Sequence, residues 1–323
     1  MAIIGAKILT QHSVDDEAGL AAAAALLRAG RLVAFPTETV YGLGADASSG
    51  AAVAGIYEAK ERPSFNPLIS HVFDLEQAER EGDFSPQARA LAQAFWPGPL
   101  TLVVPVAKSG TVSDLARAGL SSVALRVPAH PIARRLIERT RRPIAAPSAN
   151  ISGHVSPTLA AHVAADLDGR IEMIIDGGAC GIGVESTIVS CLGGQVHLLR
   201  PGAVTRQMIE GVLGRRLDEA RGDADRPVAP GQLLSHYAPS VKVRLNARAP
   251  LIGEVFLDFG GTFAGAAQDL SPSSDLIEAA ANLFAALRVL DKSGAAGIAV
   301  APIPHDGLGE AINERLARAA AAK

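Results

Sequence analysis

A mixed, open α/β sheet followed by a second, smaller α/β unit is the architecture this sequence predicts, on three observations. Strand-length apolar runs and helical runs mingle along the chain. Several strands follow one another across short Gly turns, which argues against a strict βαβ repeat. The composition shifts near residue 206, and the alternation of strands and helices restarts at Val241 after a charged, Gly- and Pro-rich stretch.

The elements follow in order. Asp15 to Arg28 is Ala- and Leu-rich, acidic at its start and stopped by Gly30, which predicts a helix. RLVAFPT is a short buried strand ending at Pro36. Ala51 to Glu61 is a helix broken by Pro63, and PLISHVF is a strand. Pro86 to Phe95 is a helix stopped by WPGP. TLVVPV and SSVALRVP are strands, and Pro128 and Pro131 open a helix that runs through Arg139. PIAAPSAN is a short strand running into a loop, and IEMIIDGG, STIVSC and QVHLLRPG are strands. Residues 210–232 have little periodicity and read as a partly helical linker. Beyond them come the strands VKVRL and GEVFLDF, a helix over Asp275–Leu290, the strand GIAVAPI and a helix over Gly309–Ala322.

A chain of 323 residues holds about two domains. The expected division is residues 1–205, a linker over 206–240, and residues 241–323. A 20% charged and 48% hydrophobic composition excludes a disordered polyelectrolyte. At 4% aromatic with one Trp, the chain lacks the platforms of a base-stacking nucleic-acid binder. The net charge of −3 is spread over both halves, so bulk attraction to nucleic acid or membrane is not expected. No strongly apolar run approaches membrane-spanning length, and the N-terminus does not read as a secretory leader, so a cytoplasmic location is expected. Cys180 and Cys191 have neither CxxC spacing nor a nearby His, and are expected to be reduced structural thiols with no metal role.

Polar residues concentrate in segments placed at strand ends, where open α/β sheets bind ligands. They are PTETVYGLGADA (36–47), KERPSFNPLISHV (60–72), SSVALRVP (121–128), APSANISGHVSPT (146–158), GVESTIVS (183–190) and LLRPGAVT (198–205). Lys60 and Arg62 in one loop could neutralise phosphates, although basic pairs after helices commonly only cap them. Ser148 to Asn150, with Ser152, Ser156 and Thr158, could donate to phosphate oxygens or form a plain turn. Arg134, Arg135, Arg139, Arg141 and Arg142 form a basic run that reads as a solvated helix end, with an RNA-contact patch as the alternative. There is no GxSxG elbow and no nucleophile–base pair by spacing, so no covalent intermediate is predicted. FGGTFAG lacks the GK[ST] of a Walker loop.

Taken together, PTETVYGLGADA, KERPxxNPLISHV, WPGPLTLV, VALRVPAHP, PSANISG, GVESTIVS and LLRPGAVT, in that order, resemble the L-threonylcarbamoyladenylate synthase family. PGQLLSHYAP (230–239) and IPHDGLGEAINERLARAA (303–320) resemble its long form. The resemblance implies a YrdC-like catalytic domain, a twisted open mixed sheet with a concave ligand cavity, plus a Rossmann-like C-terminal domain. It implies a nucleotidyltransferase that makes threonylcarbamoyl-AMP and pyrophosphate from L-threonine, bicarbonate or CO2 and ATP. The product would serve N6-threonylcarbamoyladenosine formation at tRNA position 37. Mg²⁺ is implied only with ATP, and a transferase or tRNA as a transient partner, with no membrane. Carried onto this chain, the threonine site would use Thr37, His71, Arg126 and Ser186. The nucleotide site would use Lys60, Arg62, Asn66, Ser122, Ser148, Asn150, Ser156, Arg200 and Tyr237, with Lys60 and Arg62 the best candidates for charge stabilisation. Ser122 stands where many members carry Thr. The HYAP segment would act as a lid, because a Tyr within a Pro- and Gly-rich loop has little reason to sit in a core.

Two rivals compete with this reading. One is a non-enzymatic RNA-binding module on the same fold. The other is a carbamoyl-adenylating enzyme of hydrogenase maturation, which would need a longer chain with zinc-binding cysteines.

Overall fold

The structure, a computed structural model, describes residues 9–14, 16–63, 66–217 and 237–321. The first unit runs β1 (Gln11–Val14), α1 (Glu17–Arg28), β2 (Val33–Phe35), β3 (Gly42–Asp46), α2 (Gly50–Lys60), β4 (Ile69–His71), α3 (Leu75–Glu81) and α4 (Pro86–Phe95). It continues through β5 (Leu100–Pro105), β6 (Ser122–Arg126), α5 (Pro131–Thr140), β7 (Ile144–Ala145), α6 (Ala160–Leu167), β8 (Met173–Asp176), β9 (Thr187–Ser190), β10 (His197–Arg200) and α7 (Arg206–Leu213). The second unit holds β11 (Lys242–Arg244), β12 (Glu254–Asp258), β13 (Gln268–Asp269), α8 (Leu276–Asp291), β14 (Gly297–Val300) and α9 (Leu308–Ala320).

The described strands form two sheets. The larger is mixed, in the order β1-β8-β2-β3-β7-β4-β6-β5-β9-β10, and the smaller is parallel, in the order β11-β14-β12-β13. This is the mixed α/β architecture with a smaller α/β unit that the sequence predicts. Local chemistry sets the helix starts. Asp16 caps α1 by accepting from the Gly19 N–H, Ser85 caps α4 ahead of Pro86, and Asp275 caps α8.

Sequence patterning misses several elements. Residues 36–47 read as a loop, yet Gly42–Asp46 is β3, paired antiparallel with β2 on one side and β7 on the other. Two glycines give this strand little intrinsic propensity, so pairing and packing decide it. At Gly44 a Cβ would stand 2.7 Å from the Phe35 ring, so the bare backbone is what admits that ring. β1, α3, α6 and β13 are likewise too short for periodicity to reveal. The expected linker also begins with order: residues 206–213 are α7, whose Ile209 is buried in the core of the first unit. The lid residues Pro230 to His236 lie outside the described residues.

The second core is not self-contained. Around Phe256, Leu283, Phe284 and Leu287 it gathers Val40, Val155 and Val184 of the first unit, together with Tyr237. At Gly183 (φ +79°) a Cβ would meet the Ala280 carbonyl oxygen at 2.3 Å, so only glycine lets α8 lie this close to the loop before β9. Tyr237 therefore corrects the expectation made for it. It is 1% exposed, stacks on Phe284 at 5.5 Å and 28°, and is part of a core.

Candidate active site

The C-terminal ends of β2, β4, β6 and β10 and the N-terminal ends of β3 and β9 meet at one cavity. β4 and β6 are parallel neighbours, and their register sets His71 directly beside Arg126. Thr37 and Thr39 follow β2, Glu185 and Ser186 precede β9, and Arg200 ends β10. The cavity of about 50 Å³ is lined by Thr37, Arg62, His71, Arg126, Ser148, Ser186, Arg200 and Tyr237 among the residues that the resemblance names. Thr39, Val40, Glu185, Pro147 and others complete its wall.

Hydrogen bonds hold Thr37, Arg126, Ser186 and Arg200 in place. Thr37 Oγ donates to the Val40 carbonyl at 2.7 Å and accepts from the Thr39 and Val40 N–H groups, which closes the turn after β2. Arg126 donates to the Gly98 carbonyl, to Thr39 Oγ at 3.0 Å and to Glu38 Oε1 at 2.6 Å. The other Glu38 oxygen accepts from the Ala129 and His130 N–H groups. Burial is the largest influence and pushes the Glu38 carboxyl upward, but the Arg126 charge together with hydrogen bonds from Arg126 and the backbone holds the group below its ordinary value. Ser186 Oγ sits 2.8 Å from Thr101 Oγ and 3.2 Å from Arg200 Nη2, and Arg200 also donates twice to the Ser186 carbonyl.

Three buried guanidinium groups make the cavity cationic. Burial pulls the Arg62 guanidinium down to about 10 and also lowers Arg200. Burial, with Arg126 alongside, pushes His71 down to about 3, which leaves the imidazole neutral at physiological pH. Both His71 ring nitrogens are without partners among the described residues, as are Arg62 Nε and both polar atoms of the Asn66 amide. Buried polar atoms in this state are ready for a ligand.

Other named residues stand behind the wall. Lys60 is 1% exposed and donates to the Ser148 carbonyl at 2.6 Å and the Asn150 carbonyl at 2.5 Å. It thus clamps the SAN loop from below. Asn150 donates to the Ile151 and His154 carbonyls, with its own Oδ1 unpartnered. Ser156 donates to Glu185. Ser122 begins β6, four residues before Arg126 on the same strand. Sequence reading missed Glu38, Thr39 and Thr101. All three sit inside quoted motifs, but their spacing alone does not reveal that they orient Arg126 and Ser186. Glu185, which the sequence offers with Ser186 and Thr187 as a polar-ligand contact or a plain strand start, lines the cavity and pairs with Ser156 and Arg315.

The basic run lies elsewhere, on α5 against α1. Arg135 and Arg139 pair with Glu17, Arg142 pairs with Asp46, and Arg134 stacks over the Phe73 ring at 4.8 Å. Internal carboxylates therefore consume much of its charge. Both cysteines are buried free thiols. Among the described residues no three His, Cys, Asp or Glu side chains gather as a metal-binding group, and no helix is long and apolar enough to cross a membrane.

Comparison with known proteins matches residues 25–202 to the family described as "Telomere recombination". Residues 204–321 match the family described as "Threonylcarbamoyl-AMP synthase, C-terminal domain". The Threonylcarbamoyl-AMP synthase of Bacillus subtilis is 43% identical, with 97% of this chain and 96% of the relative covered. That of Pyrococcus abyssi is 45% identical over 92% of each. The crystal structure of P. abyssi Sua5 complexed with L-threonine superposes with a TM-score of 0.88 at 42% identity, covering 97% of both chains.

Proposed function

The chain belongs to the threonylcarbamoyl-AMP synthase family in its two-domain form, and from that membership we propose that it makes threonylcarbamoyl-AMP and pyrophosphate from L-threonine, bicarbonate or CO2 and ATP. It is then a nucleotidyltransferase of tRNA threonylcarbamoyladenosine synthesis, working in the cytoplasm, and its product passes to a separate transferase. The observation that carries the reading is the convergence of three buried guanidinium groups, Arg62, Arg126 and Arg200, on one cavity with neutral Thr37, His71, Ser148 and Ser186. Such a lining suits a pair of anions, a carboxylate and a polyphosphate.

In this reading Arg126 receives the threonine carboxylate, with Thr37, His71 and Ser186 as neutral polar partners. Arg62 and Arg200 offset phosphate charge. Ser148 lines the nucleotide space, and Lys60, Asn150 and Ser156 hold the loops that shape it. The threonine amine attacks CO2 to give a carbamate. A carbamate oxygen attacks the α-phosphorus, and pyrophosphate leaves. The chain supplies positioning and charge stabilisation rather than a nucleophile. Mg²⁺ would enter on the phosphate oxygens of ATP, because the nearby carboxylates of Glu38 and Glu185 are tied to Arg126 and Arg315.

Pyrophosphate release measured with ATP, bicarbonate and each amino acid in turn tests the proposal. Release that depends on threonine is expected, with label from bicarbonate appearing in the adenylate product. Release indifferent to the amino acid overturns it, and salt-steep tRNA binding without any release supports the RNA-binding module instead.

A further inference from the structure

Arg315 lies on α9 of the second unit and is fully buried. Its Nε donates to Glu185 Oε2 at 2.7 Å, its Nη2 donates to the Pro201 carbonyl at 3.1 Å, and its Nη1 pairs with Glu314. Its guanidinium carbon sits 5.3 Å from the centre of the Tyr237 ring. One side chain from the second unit therefore touches Glu185, the residue next to Arg200, and Tyr237, and Glu185, Arg200 and Tyr237 all line the cavity.

We propose that Arg315 is a positioning residue of the active site, neutralising Glu185 so that Arg200 stays available to the nucleotide. The proposal rests on the synthase reading of this cavity. Glu185 is a buried carboxylate on the wall of a site built for anions, and unbalanced it would repel phosphate or capture the Arg200 guanidinium. With Arg315 in place, Glu185 accepts from Arg315 on one oxygen and from Ser156 on the other, while Arg200 donates to Ser186. Other contacts also join the two units. Arg288 already bridges to Asp166 at 2.8 Å and to the Val155 carbonyl, Arg206 pairs with Glu310 at 2.7 Å, and the seam around Val40, Val155 and Val184 is apolar. A buried ion pair is a poor device for docking alone, because desolvation offsets much of its attraction.

The groups that face Glu185 are Arg315, Arg200, Ser156 and Tyr237, and the two cations with the Ser156 hydrogen bond hold its carboxyl below the ordinary value against the effect of burial. Removing Arg315 leaves burial opposed mainly by Arg200.

The test is kinetic, on the full chain. Arg315→Met is expected to raise the KM for ATP roughly tenfold while changing the KM for threonine much less. The double variant Arg315→Met with Glu185→Gln is expected to recover most of that loss, because both charges are gone. Arg315→Lys is expected to fall between. If Arg315→Met does not fold, Arg315→Lys with and without Glu185→Gln carries the same comparison. An unchanged KM for ATP in the single variant, or a loss that Glu185→Gln does not relieve, overturns the proposal in favour of simple docking. Calorimetric ATP binding measured on the same proteins separates this outcome from failure of the synthase reading, since nucleotide affinity is read whether or not pyrophosphate is released.

Discussion

Arg126 Nη2 stands 2.6 Å from Glu38 Oε1, so the guanidinium proposed to receive the threonine carboxylate already neutralises a carboxylate of its own chain. The pair is buried, and its geometry fixes two things at once. Glu38 holds the N–H groups of Ala129 and His130 ahead of α5, and Arg126 is locked in one orientation before any ligand arrives. Of the five guanidinium N–H groups, three are used by Gly98, Thr39 and Glu38, which leaves one each on Nη1 and Nη2. A side chain ordered in advance loses less entropy on binding.

Arg126→Ala is expected to weaken threonine far more than ATP, by about 2–5 kcal/mol for the lost carboxylate contact. The melting temperature should fall as well, because Glu38 is left as a buried charge without its partner. Arg126→Lys should restore little, since a point charge cannot serve Gly98, Thr39 and Glu38 together. Calorimetric titration with each ligand decides the matter. Equal losses for ATP and threonine would remove Arg126 from the threonine site.

Arg62→Ala and Arg200→Ala are expected to act through the nucleotide, with charge-assisted contacts that strengthen in the transition state. The two should differ in stability. Arg200 holds the Ser186 carbonyl and hydroxyl, so its loss also disturbs Ser186, whereas Arg62, among the described residues, donates to the Asn66 and Pro67 carbonyls at 3.4 and 3.2 Å. Steady-state kinetics in both substrates is the check. Near-normal turnover at saturating ATP in either variant would count against the phosphate role.

Much of this site was legible in the sequence, and the remainder was not for identifiable reasons. Strand ends such as His71 and Arg126 could be placed because apolar runs bounded by Pro locate β4 and β6. Their juxtaposition could not, because register and strand order are set by pairing between distant segments. Lys60 shows the limit most clearly. Its neighbourhood to Arg62 suggests a phosphate cation, and nothing in the sequence shows that two loop carbonyls hold its amine or that burial together with Arg62 pulls it well below its ordinary value. Tyr237 was misjudged because nothing in a Pro- and Gly-rich stretch announces that Phe284, on another unit, will stack against it. Glu185 and Arg315 are 130 residues apart, beyond the reach of any local pattern.

His71 makes acid stability a probe of the site. Its folded value of about 3 lies below the unfolded value of 6.5 because burial and Arg126 disfavour the imidazolium. Between these limits the unfolded chain binds a proton that the folded chain does not, so stability falls as pH drops through this window. The contribution lost from about pH 6.5 to pH 5 is about 2 kcal/mol. His71→Gln should flatten that part of the profile in urea titrations and weaken threonine at neutral pH. An unchanged acid slope would mean that the ring is not held neutral.

Tyr237 is expected to govern access to the nucleotide space. The cavity measures about 50 Å³, whereas sites for ligands of drug size occupy about 300–1,000 Å³. A wall is therefore expected to move when threonine and ATP enter. Tyr237 belongs to that wall, adopts a left-handed backbone conformation (φ 60°), and is held by stacking on Phe284 rather than by a strand or helix. A wall that closes over the product would exclude water from a labile acyl-adenylate. Tyr237→Ala is expected to lower synthesis and raise ATP hydrolysis relative to product. Truncation after Thr205 is a poorer test, because it uncovers Val40, Val155 and Val184 and strips Arg315 from Glu185. Proteolysis within residues 215–240 should slow when threonine and ATP are bound together. If cleavage is indifferent to ligands and Tyr237→Ala makes and retains product as well as the parent, Tyr237 serves only to dock the second unit.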